Sequence, residues 1–193
     1  MKRRIVLCAL AFAAGAFAIS GLTGPTATPA EAQSAKQERD LENTLYLDLK
    51  DGRVTIELKP DLAPNHVARI KELTREGFYD GVVFHRVIDG FMAQTGDPTG
   101  TGRGGSDKPD LDAEFSNANH GRGAVSMARA QNPNSANSQF FIVFDDASFL
   151  DGQYTVWGQV VDGMEHVDAI TRGEPPADPD KIIKMQVAAD AEG

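Results

Sequence analysis

Hydrophobic and polar residues alternate along two adjacent stretches, Thr44-Leu-Tyr-Leu-Asp-Leu49 and Arg53-Val-Thr-Ile-Glu-Leu58, with Asp51-Gly52 between them. Period-two alternation on both sides of an Asp-Gly pair predicts a β-hairpin turning at Asp51-Gly52. The period then changes. Pro64 can open a helix, where its missing N–H costs little, and Val67, Ile70 and Leu73 follow at helical spacing until Gly77 stops the chain. Beyond Phe78, short apolar segments at 82–87, 91–95, 124–128, 140–144 and 155–161 alternate with glycine-rich loops. A second short helix is expected over about 164–171 and a last strand over about 182–187. About eight strands and two helices in one domain suggest a sandwich or a barrel, and periodicity alone does not choose between them.

The first residues follow a different pattern. Lys2, Arg3 and Arg4 precede an uncharged run from Ile5 to Ile19. That run is short of the roughly 20 residues a membrane span needs, and it fits the apolar core of a signal peptide. Small residues at Ala30 and Ala32 mark a cleavage site after Ala32. Residues 1–32 are therefore read as a signal peptide, 33–43 as a flexible arm and 44–190 as the folded domain. An uncleaved anchor is the alternative, because the spacer before Ala32 is long. Cleavage removes Lys2, Arg3, Arg4 and Glu31, so the net charge moves from −9 to −11. It also removes Cys8, the only cysteine, which leaves no disulfide and no thiolate ligand. An exported bacterial protein is expected, periplasmic or else secreted, with no stable membrane insertion after cleavage and nothing to suggest more than a monomer. The acidic balance argues against nucleic-acid binding by phosphate neutralisation.

Several chemistries can be set aside. Gly100, Gly102 and Gly105 have the spacing of a dinucleotide fingerprint, but Ser-Asp-Lys-Pro-Asp follows where a helix would have to begin. His66, His85, His120 and His166 are dispersed, without the close pairing of zinc ligands, and read as structural or surface histidines. Asp110 with Asp112, and Asp145 with Asp146, sit in expected loops as solvated carboxylates. No Gly-x-Ser-x-Gly elbow is present. Neither a metal nor a cofactor is expected.

The remaining words are specific. Phe84-His-Arg-Val-Ile-Asp-Gly-Phe-Met-Ala-Gln-Thr-Gly-Asp97, then Gly102-Arg-Gly-Gly105, Ser126-Met-Ala-Arg-Ala130, Asn137-Ser-Gln-Phe-Phe-Ile142, Phe149-Leu-Asp-Gly152 and Val156-Trp-Gly-Gln-Val160 follow in order. Together they resemble the signature of the cyclophilin-type peptidyl-prolyl isomerases over about residues 44–188. The resemblance implies a mainly β fold, a closed eight-stranded antiparallel barrel capped by two helices, with the active groove on its outer wall. It makes Arg86 the catalytic guanidinium. Phe91, Met92, Phe141 and Leu150 would line the proline pocket, and Gln94 and Gln139 would bond the substrate backbone. Ala128-Arg129-Ala130 would run beside the peptide, and Gly102 would border the groove.

Two positions depart from the better-known eukaryotic pattern, Phe149 in place of Trp and Tyr154 in place of His, and both look like bacterial exported members. Phe149 lacks the indole N–H that the family uses to hold cyclosporin, so weak cyclosporin binding is expected. Arg129 replaces a common Asn. The implied function is acceleration of Xaa-Pro isomerisation in proteins folding outside the cytoplasm, acting on proline-containing polypeptides. The rival is a chaperone-like clamp for proline peptides whose turnover is incidental; a clamp has no need of Arg86.

Overall fold

The structure is a computed structural model that describes residues 40–191. The signal peptide and the first part of the arm lie outside the described residues. Asp40 to Asn43 make a 3-10 turn that leads into the first strand, with Thr44 Oγ1 donating to the Asp40 carbonyl at 3.0 Å.

Eight strands form one antiparallel sheet: β1 Thr44–Leu49, β2 Gly52–Leu58, β3 Arg86–Ile88, β4 Met92–Thr95, β5 Ala124–Met127, β6 Phe140–Val143, β7 Val156–Asp162 and β8 Lys184–Val187. Their spatial order is β3-β4-β6-β5-β7-β2-β1-β8. Helix α1 spans Pro64–Arg75 and α2 spans Met164–Asp168. Leu45, Leu47 and Leu49 on β1 and Val54, Ile56 and Leu58 on β2 face the core, as their alternation predicts. The hairpin turns one residue earlier than expected: Leu49 pairs with Gly52, leaving Lys50 and Asp51 as the loop. Gly52 serves another purpose. A β-carbon there would collide with the His166 ring of α2, so the glycine lets that helix approach.

The expected closed barrel is corrected to an open half-barrel. The end strands β3 and β8 form no ladder with each other, and only isolated bridges, Val83 with Lys181 and Val87 with Gly173, cross the gap. The crossing segment contains Pro175, Pro176 and Pro179, which have no N–H to donate, so a continuous ladder cannot form there. The same pairing shortens β3 and β8 relative to the apolar runs, because Ile182 bonds Val82 across the gap rather than extending β8. Helix α2 ends at Asp168; further on, the Thr171 amide is taken by the Asp180 carboxylate at 2.7 Å.

Helix α1 buries Val67, Ile70 and Leu73 and ends as a Schellman motif. Gly77, at φ +69°, donates to Thr74 and Phe78 donates to Leu73, both at 3.0 Å. Its start is capped from afar. Ala63 has no side-chain acceptor, and the Glu114 carboxylate takes the amides of Asn65 (3.1 Å) and His66 (3.0 Å) and meets His66 Nδ1 at 2.6 Å.

The core fills the inside of the half-barrel around Trp157, Phe84, Phe140 and Tyr79, with edge-on contacts Tyr79–Phe140 and Phe140–Trp157 at 5.6 and 5.4 Å. A second apolar cluster lies on the outer face of the same strands: Met92, Ala124, Phe141, Val143, Ala147 and Leu150. Along β6 the side chains divide between the two, Phe140 and Ile142 inward, Phe141 and Val143 outward. The strand is buried on both faces, so its outer side is covered by the second cluster as its inner side is by the core.

Candidate active site

Four strands bring one row of side chains to the outer wall. Arg86 of β3 stands opposite Gln94 of β4, Gln94 opposite Phe141 of β6, and Phe141 opposite Ser126 of β5. In antiparallel pairs, opposed residues project from the same face. Register alone therefore aligns a guanidinium, an amide and an aromatic ring. Met92, two residues before Gln94, joins that face. Phe91, Phe149, Leu150 and Tyr154 close round it from the loops.

The result is a cavity of about 300 Å³ lined by Arg86, Phe91, Met92, Gln94, Ala128, Arg129, Phe141, Phe149, Leu150 and Tyr154. Its floor is apolar, with Met92, Phe141 and Leu150 buried, while Phe149 at the rim is 64% exposed and rests against Phe91 with ring centres 5.4 Å apart. Beneath the floor, His120 is fully buried and stacks on Phe141 at 6.3 Å. Its ring is fixed between Asp151 (2.9 Å) and Ser126 (3.0 Å). That bond, with the His120 amide, holds the Asp151 carboxyl below its ordinary range.

A second, more polar cavity of about 510 Å³ adjoins the first and shares Gln94, Ala128 and Arg129 with it. Gly102, Ala130 and Gln139 line it. All thirteen site residues expected from the sequence thus fall in two adjoining cavities. Arg129 forms the partition: its guanidinium lies 4.4 Å over the Tyr154 ring and donates to the carbonyls of Ala130 (2.8 Å) and Gln153 (2.9 Å).

Polar groups in the row are chained. Arg86 Nη1 reaches Gln94 Oε1 at 3.4 Å, Gln94 Nε2 donates to Gln139 Oε1 at 2.9 Å, and Gln139 Nε2 donates to the Gly104 carbonyl at 2.8 Å. Both Gln139 N–H groups are occupied, since Gly102 O accepts the other at 3.2 Å. Gln94 keeps one N–H free and each amide oxygen keeps a lone pair, so a peptide backbone can still be bonded from here.

The glycine-rich segment is a loop, as its Pro109 implied, and a buried carboxylate shapes it. Asp97 is fully buried and accepts from Thr99 N (2.8 Å), Thr99 Oγ1 (2.8 Å), Thr101 N (3.0 Å) and Gly102 N (2.6 Å). Burial opposes its ionisation, but these bonds prevail and hold its pKa down to about 2. Asn137 braces the opposite wall, accepting from Ser106 N at 2.9 Å and donating to the Lys108 carbonyl at 2.9 Å. Sequence reasoning quoted Asn137 within a motif but gave it no task. It also missed Glu174, whose carboxylate meets Arg86 Nε at 2.8 Å and which lies 88 residues away along the chain.

Two buried histidines link this architecture to pH. Burial lowers the pKa of His66 and of His85 from the ordinary 6.5, and the nearby carboxylates Glu114 and Asp97 offset this only in part. The unfolded chain therefore takes up these protons first as pH falls, so their contribution to stability is whole above about pH 6.5 and is lost below it. Asp97 adds a second decline below its ordinary 3.8, continuing towards about 2. The melting temperature is expected to be level between about pH 7 and 8 and to fall from about pH 6.5 to 5. A profile level down to pH 5 contradicts this.

The chain matches the family described as cyclophilin type peptidyl-prolyl cis-trans isomerase/CLD over residues 44–187. It is 59% identical over 167 residues to a Brucella suis protein named "Probable peptidyl-prolyl cis-trans isomerase", covering 78% of this chain and 85% of that one. It is 43% identical over 133 residues to peptidyl-prolyl cis-trans isomerase B of Bacillus subtilis, covering 68% and 92%. Among solved structures, a cyclophilin from Hirschia baltica superposes with a TM-score of 0.74 at 30% identity, covering 86% of this chain and 82% of the other. A cyclophilin type isomerase from Cryptosporidium parvum, determined in the presence of the dipeptide Ala-Pro, gives 0.70 at 30% identity, covering 75% and 98%. The chain belongs to the cyclophilin family of peptidyl-prolyl cis-trans isomerases. It is an isomerase of the bond preceding proline.

Proposed function

We propose that this chain is an exported bacterial cyclophilin that speeds Xaa-Pro isomerisation in proteins folding outside the cytoplasm, in the periplasm in the first instance. The basic start, the Ile5–Ile19 run and the Ala30-Glu31-Ala32 site support the export route. Phe149 and Tyr154 agree with the exported bacterial pattern. The mature domain acts as a monomer on exposed proline segments and does not insert stably in the membrane.

The observation that carries the mechanism is the register that puts Arg86 beside a pocket with an apolar floor. Rotation about a prolyl peptide bond faces roughly 18–20 kcal/mol because amide resonance must be broken. In the twisted state the nitrogen regains its lone pair, so a donor aimed at that nitrogen stabilises the transition state more than the ground state. Arg86 is that donor: permanently charged, planar and rich in N–H groups. Phe91, Met92, Phe141 and Leu150 hold the proline ring while the preceding carbonyl swings, and their low local dielectric favours the less polar, deconjugated amide. Gln94 and Gln139 bond the backbone, Ala128-Arg129-Ala130 runs alongside it, and Gly102 borders the groove. A turnover of about 10²–10³ s⁻¹ needs roughly 5.5–7 kcal/mol of stabilisation over the spontaneous reaction. One charge-assisted hydrogen bond gives about 1.5–3 kcal/mol, and orientation and desolvation supply the remainder.

A protease-free isomerisation assay on an Ala-Pro peptide, comparing wild type with Arg86→Ala, tests the mechanism. Localisation of the native chain in a bacterial host, followed by sequencing of its mature N-terminus, tests export: a start at Gln33 supports it, and an intact Met1 in the cytoplasm overturns it. Cyclosporin is expected to inhibit weakly. Phe149→Trp restores an indole N–H at the rim and is expected to tighten inhibition by about tenfold, the worth of one hydrogen bond. An unchanged inhibition constant shows that the missing indole is not the reason.

A further inference from the structure

Arg86 is held from two sides, and only one of them belongs to the cavity. Its Nη1 approaches Gln94 on the neighbouring strand, whereas its Nε donates to Glu174 Oε2 at 2.8 Å. Glu174 lines neither cavity. We propose that Glu174 is a positioning residue for catalysis: by occupying the Nε edge of Arg86, it turns the Nη edge of the guanidinium towards the proline pocket. The inference rests on the reading of Arg86 as the donor to the prolyl nitrogen.

The backbone around Glu174 is built to hold it there. Gly173 exchanges two hydrogen bonds of 2.8 Å with Val87, the residue next to Arg86, so the carboxylate projects from a segment pinned to the edge of β3. Gly173 has φ +150°, and a β-carbon there would run into Pro175 and Pro176, so no other residue fits the bend without strain. On the near side, Arg172 donates to Asp89 (3.1 Å) and to the Asp168 carbonyl (2.7 Å) and lies 4.2 Å over the Phe144 ring. The two residues that lead into Glu174 are therefore fixed.

Such anchoring is not explained by stability. The Arg86 and Glu174 side chains are 42% and 53% exposed, and a pair that open to water adds little to folding. Orientation is another matter. Arg86 stands on the end strand of the sheet with solvent beside it, and a long side chain there has several rotamers, of which few point its Nη groups at the pocket. A carboxylate on a rigid neighbour selects among them before substrate arrives, and misplacement of a catalytic group by about an ångström can cost up to 10²-fold in rate. The carboxylate also partly neutralises the charge it orients. Glu174→Gln separates the two effects, since it keeps an acceptor for Nε–H and removes the charge.

The test measures kcat, KM and melting temperature for the wild-type protein, Glu174→Ala, Glu174→Gln, Arg86→Ala and the double variant Glu174→Ala/Arg86→Ala, on an Ala-Pro peptide. Glu174→Ala is expected to lower kcat about tenfold, with KM changed less than about twofold and the melting temperature unaltered. Glu174→Gln is expected to recover to within about threefold of wild type, and Glu174→Ala is expected to add nothing in the Arg86→Ala background. Glu174→Ala with wild-type or higher kcat, alongside a collapsed Arg86→Ala, overturns this inference alone. Glu174→Gln as slow as Glu174→Ala overturns it too, because the acceptor would then not be what matters. An Arg86→Ala protein with full activity overturns both this inference and the mechanism beneath it.

Discussion

Arg86→Ala is expected to lower kcat/KM on an Ala-Pro peptide by about 10²-fold or more, while affinity for the peptide falls less than about tenfold. The asymmetry follows from geometry. On the proposed mechanism, binding draws on the buried floor of Met92, Phe141 and Leu150 and on the amides of Gln94 and Gln139, none of which the substitution removes. Only the interaction that strengthens as the prolyl nitrogen becomes basic is lost, and such a loss appears in kcat. Arg86 sits at a strand edge with its side chain 42% exposed, so truncation leaves no cavity in the core and the fold should persist. Single-turnover exchange measured alongside equilibrium titration checks both halves. Equal losses in rate and affinity would reduce Arg86 to a binding contact and leave the proline-peptide clamp as the better description.

Asp97→Ala carries the largest expected cost to stability, about 3 kcal/mol or more. Asp97 is fully buried, and three backbone amides and two threonine hydroxyls converge on it. Removing the carboxylate strands those donors away from water. In a domain of this size the loss corresponds to a melting temperature lower by about 6–12 °C. Activity should fall as well, because the loop it shapes carries Gly102 and Gly104, whose carbonyls hold Gln139. Asp97→Asn keeps one acceptor but points an NH₂ group at these donors, and should fall between the two. A melting temperature within about 2 °C of wild type in Asp97→Ala would mean the loop is held by something other than this carboxylate.

Local sequence carried a good deal of the fold. Alternation at Leu45–Leu49 and Val54–Leu58 was readable because each of those strands is buried on one face only, so its pattern keeps the strand period. The strands that build the site were harder to read. All four residues of β5 and of β6 are buried, Phe140 and Ile142 in the core and Phe141 and Val143 in the outer cluster, so no period marks which side faces outward. There the family wording supplied what periodicity could not, and it named Arg86, Gln94, Phe141 and Gln139 together although they are scattered over more than 50 residues.

The partners of those residues stayed hidden. The carboxylate that caps α1 comes from Glu114, 49 residues from Asn65, and no local acceptor betrays it. Glu174 reads as an ordinary loop acid until the Val87–Gly173 bridge sets it against Arg86. Asp97 looks like the last residue of a motif until the loop folds back on it. The closed barrel was an overreach for a related reason: eight strands can be counted along a chain, but whether the first and last edges meet depends on the segment between them, and here prolines deny it the N–H groups a ladder requires.

By itself, then, the sequence determined the strand count, the two helices and the family, since these are written in local period, turn residues and short motifs, and through the family resemblance it pointed to residues that the fold gathers in two adjoining cavities. Tertiary structure alone decided the open edge of the sheet, the alignment of Arg86, Gln94 and Phe141 in one row, and the buried or clamped carboxylates that orient them. Those depend on register and on contacts between residues far apart in the chain, which local patterns do not encode.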